Sequence, residues 1–128
     1  MDKQIVDQKL ESLRRCIERI QDKLPISAKN LATDFDKQDI VSLNLSRAVQ
    51  LTVDIGVHII SGLSSPVPDT MGQTFDVLAD MHVIPKELAT QLKNLDISWN
   101  DLKMVIKCLQ QTLFTYSAKM VRDQLHPS

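Results

Sequence analysis

Apolar residues recur in steps of three and four along two long stretches of the chain. From Lys3 to Leu24, the apolar residues Val6, Leu10, Leu13, Ile17, Ile20 and Leu24 follow steps of 4, 3, 4, 3 and 4. That spacing draws one stripe down a helix and predicts a long amphipathic helix here. Its other faces carry Asp7, Lys9, Glu11, Arg14, Arg15, Glu18, Arg19 and Asp22. The pair Arg14-Arg15 is interleaved with acids, so it reads as solvated surface rather than a phosphate clamp. Pro25 stops the helix, because its ring disfavours helical geometry in the residue before it. The second such stripe is Trp99, Leu102, Ile106, Leu109, Leu113, Tyr116 and Met120. It predicts a last helix that Ser98-Trp99-Asn100-Asp101 opens with a capping-box-like pattern.

The middle of the chain is less regular. Residues 26–36 read as a connector in which Ser27 caps one short turn through Leu31 and Ala32. Asp34-Phe35-Asp36 leads into a second long helix, about Lys37 to Ser61. Its apolar residues fall on more than one face, which predicts central burial or sharing with a second protomer. β-branched residues near its end suggest a strand, but continuous length and the absence of turn residues favour helix. The segment GLSSPVPD (62–69) is a loop. A third helix follows over about Thr70 to Met81, with Met71, Phe75, Leu78 and Ala79 facing inward. His82-Val83-Ile84 breaks it, and Pro85 stands as the first residue of a short fourth helix. That helix carries Leu88, Leu92 and Leu95 and ends near Asn94 to Asp96. The expected fold is an all-α, up-and-down bundle of four to five helices, in one domain over 1–128.

Charge and composition narrow the chemistry. Lys plus Arg number 15 and Asp plus Glu 16, so the 128-residue chain has a net charge of −1. This excludes a strongly basic nucleic-acid module. The stretch MDKQIVDQKLE lacks the apolar core of a signal peptide, and no apolar run is long enough for a membrane span. A cytoplasmic location is expected. Cys16 and Cys108 belong to no CxxC pattern or zinc-type spacing and read as reduced, half-buried thiols. Gly56, Gly62 and Gly72 are isolated, so no phosphate-cradling loop is present. His58, His82 and His126 lie on three different elements. A metal-independent RNA nuclease needs a cation on the phosphate and a histidine beside it to move the proton. Arg47 and His58 are too far apart for that, and Arg122 with His126 sits in the C-terminal tail before Pro127. No catalytic set, cofactor or metal follows from the residues.

Four stretches nevertheless resemble the HepT toxins of the HEPN superfamily. They are QKLESLRRCIERI (8–20), QDIVSLNLSRAVQLTVDIGVHII (38–60), TFDVLADMHVIPKELATQLKN (74–94) and ISWNDLKMVIKCL (97–109). Asp39, Asn44, Arg47, Asp54 and His58 are the most family-like positions of the second block. The third carries the family's I-P-x-x-L-A pattern at Ile84 to Ala89. The resemblance implies a helical HEPN fold and the toxin half of a toxin–antitoxin pair. It implies a homodimeric, metal-independent RNase whose partner is a minimal nucleotidyltransferase of the MntA type. In the family the active motif is an Arg, four residues, a His, one residue and a Tyr, and the antitoxin adenylylates that Tyr.

The sequence departs from this pattern at the motif itself. It runs almost directly from Asn94 to Ile97, where the family places about a dozen more residues, roughly three helical turns. The motif Arg, His and Tyr all fall in that gap, so no catalytic residue carries over. Asn44, Arg47, Asp54 and His58 carry over only as candidate cleft or dimer-interface residues. Two family readings stay open: a catalytically inactive relative or deletion form, and a parent gene that retains the motif. The alternative from another class is a non-enzymatic helical adaptor or dimerisation module. Loss of three turns also leaves apolar faces on the second and last helices to be covered by another element, a rearranged loop or a second protomer.

Overall fold

A computed structural model describes residues 3–24, 28–61, 70–93 and 99–125. Its helices are α1 (Lys3–Lys23), α2 (Ala28–Thr33), α3 (Phe35–Ser61), α4 (Met71–Asp80), α5 (Lys86–Lys93) and α6 (Trp99–Leu125). The described residues form no strand. The all-α bundle expected from the stripes is present. The connector's single short turn is a six-residue helix, α2.

Each boundary has a local cause. The Asp34 carboxylate accepts from the Lys37 backbone N–H at 3.1 Å and so starts α3 two residues before the expected position. Gln38 Nε2 donates to the Ala32 carbonyl, tying α2 to the beginning of α3. Thr70 caps α4 by accepting from the Gln73 N–H. At the other end of α4, His82 N–H donates to Ala79 O and Val83 N–H to Leu78 O. His82 has φ 58°, a left-handed conformation usually given to glycine. Pro85 lies just outside α5 rather than inside it, and its carbonyl accepts from Ala89 N–H. The expected ends of α5 at Asn94 to Asp96, with Leu95, and the Ser98 cap lie outside the described residues.

The α1 stripe is the buried face, with Val6, Leu10, Leu13, Ile17 and Ile20 sealed and Cys16 added to it. On α6, Leu102, Ile106, Leu109 and Tyr116 are buried and Leu113 is half-buried. Helix α1 packs chiefly along α3 and also on α6, α4 and α5 form a hairpin, and α5 leans on α6. α1 and α3 are antiparallel, since Lys9 meets Asp54 near one end while Arg19 and Arg47 line one groove nearer the other. On α3 the core face is Val41, Ala48, Val53 and Ile55. Leu43, at 51%, and Val57, at 38%, remain exposed on the same helix, and Phe114, at 74%, does so on α6.

Three helices converge at Gly56. A Cβ there would lie 2.6 and 2.7 Å from the Leu78 methyls and 3.1 Å from the Tyr116 hydroxyl. Leu78 and Tyr116 are fully buried, so neither has open space to retreat into. The Tyr116 hydroxyl donates to the Thr52 carbonyl at 3.0 Å, and the Thr52 hydroxyl turns back onto Ala48 O at 2.8 Å. Burial pushes the Tyr116 phenol well above its ordinary value near 10.

Two expectations follow. Tyr116→Phe removes only the hydroxyl and should cost about 1 kcal/mol, whereas Tyr116→Ala also empties the ring's site and should cost about 3–5 kcal/mol. Gly56→Ala gains about 1 kcal/mol of helix propensity, yet overpacking costs about 1–3 kcal/mol, so it too should destabilise. Urea unfolding followed by circular dichroism measures all three, and a Gly56→Ala chain more stable than its parent would contradict the tight crossing.

A third expectation concerns pH. Below about 10 the folded and unfolded chains both keep the phenolic proton; above it only the unfolded chain ionises. Stability should therefore fall as pH rises past that value, and Tyr116→Phe should remove this part of the fall. Tyr116 is the chain's single tyrosine, so tyrosinate absorbance should appear only together with loss of helix.

Candidate functional site

Residues Arg47, Asp54 and His58 lie on one stripe of α3, since offsets of seven and eleven return close to the same helical angle. Along the axis, Arg47 and His58 are about 16 Å apart, at about 1.5 Å per residue. The stripe faces α1 but does not gather these side chains into one reacting centre. Asp54 accepts from Lys9 Nζ at 3.2 Å and from Gln50 Nε2 at 3.0 Å. This bridge between two helices is partly exposed, which limits it to about 0.2–1 kcal/mol. His58 is half-buried one turn beyond Asp54. Asn44 is turned inward and only 4% exposed. Its Nδ2 donates to Ile40 O at 2.8 Å, and its Oδ1 is a buried acceptor with no partner among the described residues.

Arg47 belongs to a different neighbourhood. It lines a groove of about 440 Å³ between α1 and α3, with Ser12, Arg15, Cys16, Arg19, Gln50 and Leu51. Cys16 forms part of the floor and is 4% exposed. Burial pushes its thiol up, and the positive charges of Arg19 and Arg47 oppose that rise. Three guanidinium groups thus line one groove with no acid among the lining residues. The adjacent Arg14 is spent elsewhere: it pairs with Glu11 and with Glu18 on the solvent side of α1. Its hydrogen bonds hold the Glu11 carboxyl below the usual range. This is the solvated face expected from the sequence, with Arg15 joining it through a 3.3 Å contact to Glu11. The meeting of Arg15 and Arg19 with Arg47 was not part of that expectation. The signal available was the i, i+4 spacing of the two α1 arginines, which places them on one face.

The other chemistry-bearing residues stay apart. His82 lines a second groove, about 320 Å³, with Asp80, Lys86 and Thr115 among its walls. His126 lies outside the described residues, as does the side chain of Arg122. Tyr116 is sealed in the core. Both cysteines are free and more deeply buried than the half-burial expected; burial is the leading cause of the raised thiol at Cys108, with Glu87 adding to it. Among the described residues no group of three or more His, Cys, Asp or Glu could hold a metal ion. None of their helices is long and apolar enough to cross a membrane.

Comparison with known proteins adds what the geometry alone does not. The mRNA nuclease HepT of Shewanella oneidensis is 32% identical over 91 residues, covering 71% of this chain and 68% of the relative. A crystal structure of a toxin–antitoxin MntA–HpeT mutant superposes with a TM-score of 0.62 at 26% identity, covering 96% of this chain and 99% of the other. A tri-AMPylated Shewanella oneidensis HEPN toxin, solved with its MNT antitoxin, has a TM-score of 0.61 at 24% identity over 98% and 99% of the two chains. That last likeness speaks to the fold alone. The ribonuclease HepT-like family profile matches residues 13–96. With that match spanning most of the bundle, this chain belongs to the HepT-like ribonuclease family.

Proposed function

We infer that the chain is a toxin-side component of a HEPN/MNT toxin–antitoxin pair, and that in this form it does not cleave RNA. The observation that carries the second half is the connection between α5 and α6. Helix α5 ends at Lys93 and α6 begins at Trp99. The stretch 94–98 is shorter than Arg, four residues, His, one residue and Tyr, and that pattern occurs nowhere else in the sequence. Phosphate gripping and proton transfer by that motif therefore have no side chains to perform them.

Tyr116 is no substitute for the motif tyrosine. Its hydroxyl is buried and donates to Thr52 O, so a nucleotidyltransferase meeting the folded chain finds no exposed phenol to modify. What remains is a binding scaffold. Its partners in this reading are an MntA-like nucleotidyltransferase and a second copy of the chain, and it acts in the cytoplasm. The second copy is favoured by the exposed Leu43 and Val57 on α3, the helix that carries Arg47, Asp54 and His58. RNA is the ligand class that family membership suggests. A helical adaptor without toxin ancestry loses support, because the HepT-like match covers residues 13–96.

The test joins three measurements on the purified chain. Labelled RNA should remain intact at protein concentrations where an active HepT relative degrades it. Intact mass after incubation with an MntA-type nucleotidyltransferase and ATP should show no added AMP. Co-expression should nevertheless yield a co-purifying complex. Cleavage of RNA, or AMP on this chain, would overturn the inactive reading; failure to co-purify would remove the antitoxin partner.

A further inference from the structure

The α1–α3 groove is built from residues that the family motif does not use. Arg15 and Arg19 stand one helical turn apart, about 6 Å along α1, and Arg47 reaches the same groove from α3. No acid lines it. Glu11 and Glu18 are engaged by Arg14, and Asp54 by Lys9 and Gln50, while Asp22, three residues from Arg19, forms no ion pair with it and does not line the groove. Arg15 is held only through its Nε, at 3.3 Å from a carboxylate that Arg14 shares. Arg19 and Arg47 make no ion pair or hydrogen bond among the described residues. A chain of net charge −1 therefore concentrates three weakly committed guanidinium groups in one place.

Guanidinium groups present planar forks of donors that match phosphate oxygens in pairs. The rest of the lining suits the same ligand. Ser12 and Gln50 are polar, while Cys16 and Leu51 make an apolar floor. No aromatic ring lines the groove, so it offers no aromatic platform for bases. Recognition there is of phosphate, without reading sequence.

We propose that the groove between α1 and α3 holds phosphate groups through Arg15, Arg19 and Arg47, with a single-stranded RNA backbone as the occupant that places phosphates on all three. The choice of RNA rests on the family reading given above. The phosphate chemistry does not, and a free nucleotide shares it. The site requires neither the missing motif nor the antitoxin, so binding is read with no cleavage step.

Fluorescence anisotropy with a labelled single-stranded RNA oligomer tests the proposal, with ATP as the free-nucleotide arm. Three neutralised phosphates on a single strand should give a slope of log K against log salt near −2, at about 0.7 per phosphate. Raising salt from about 0.05 to about 0.2 M should then weaken binding about 20-fold. Each of Arg15→Gln, Arg19→Gln and Arg47→Gln should reduce the slope by about 0.7. All three positions are exposed on regular helix, and circular dichroism checks that each variant keeps its fold. Lys107→Gln on α6 makes the same charge change away from the groove and should leave the slope unchanged. ATP bound with the same arginine dependence while RNA is not bound would keep the phosphate site and overturn the RNA occupant. Binding of neither ligand, or binding indifferent to all three arginines, would overturn the site. The toxin-side assignment would survive either loss, since co-purification with the nucleotidyltransferase tests it separately.

Discussion

The approach of three helices at Gly56 is the constraint on which the remaining geometry depends. Because α3 offers no side chain there, the Leu78 methyls of α4 and the Tyr116 hydroxyl of α6 come against its backbone. The bond from Tyr116 to Thr52 O then fixes how far α6 approaches. With one side of α3 committed to α4 and α6, the side facing α1 carries Arg47 and Asp54. The groove and the Lys9–Asp54 bridge both follow from that rotation of α3 about its axis.

How much of this can be read from sequence differs by element, for physical reasons. α1 and α6 are each apolar on one narrow stripe, and a single stripe allows only one orientation toward a core. Their predicted faces and their buried faces agree. α3 is apolar on several faces, so periodicity cannot say which one turns inward. Packing selects Val41, Ala48, Val53 and Ile55 and leaves Leu43 and Val57 at the surface. Helix starts are legible to within one or two residues at Thr70 and Asp34, though the structure makes each a cap and not a residue of the helix interior. The break at His82 is also legible, but its left-handed backbone is not, because that conformation is one glycine would signal. Pro85 shows the usual one-residue uncertainty of helix boundaries.

The candidate residues separate along the same line. Asp54 forms a bridge across two helices, but its partner Lys9 stands 45 positions away in the chain, and no local pattern connects them. Asn44 is a candidate cleft or dimer-interface residue by resemblance, yet it is turned inward with its amide bonded to its own helix. Arg15 and Arg19 read as part of a mixed-charge face because sequence shows their acidic neighbours and not the arginine across the groove. Tyr116 illustrates the converse. In a family whose motif includes a tyrosine, a lone tyrosine invites a catalytic role, while its place in an apolar stripe predicted the core position it occupies.

The turn at His82 carries one more implication. A left-handed backbone costs a residue with a Cβ roughly 1–2 kcal/mol relative to glycine, and this turn tolerates it because two backbone bonds close around it while Leu78 and Val83 are buried on either side. The α4–α5 hairpin thus owes its geometry to that turn, and the exposed Lys93–Asp76 ion pair adds little to it. The geometry of that corner is therefore set before the chain leaves α5.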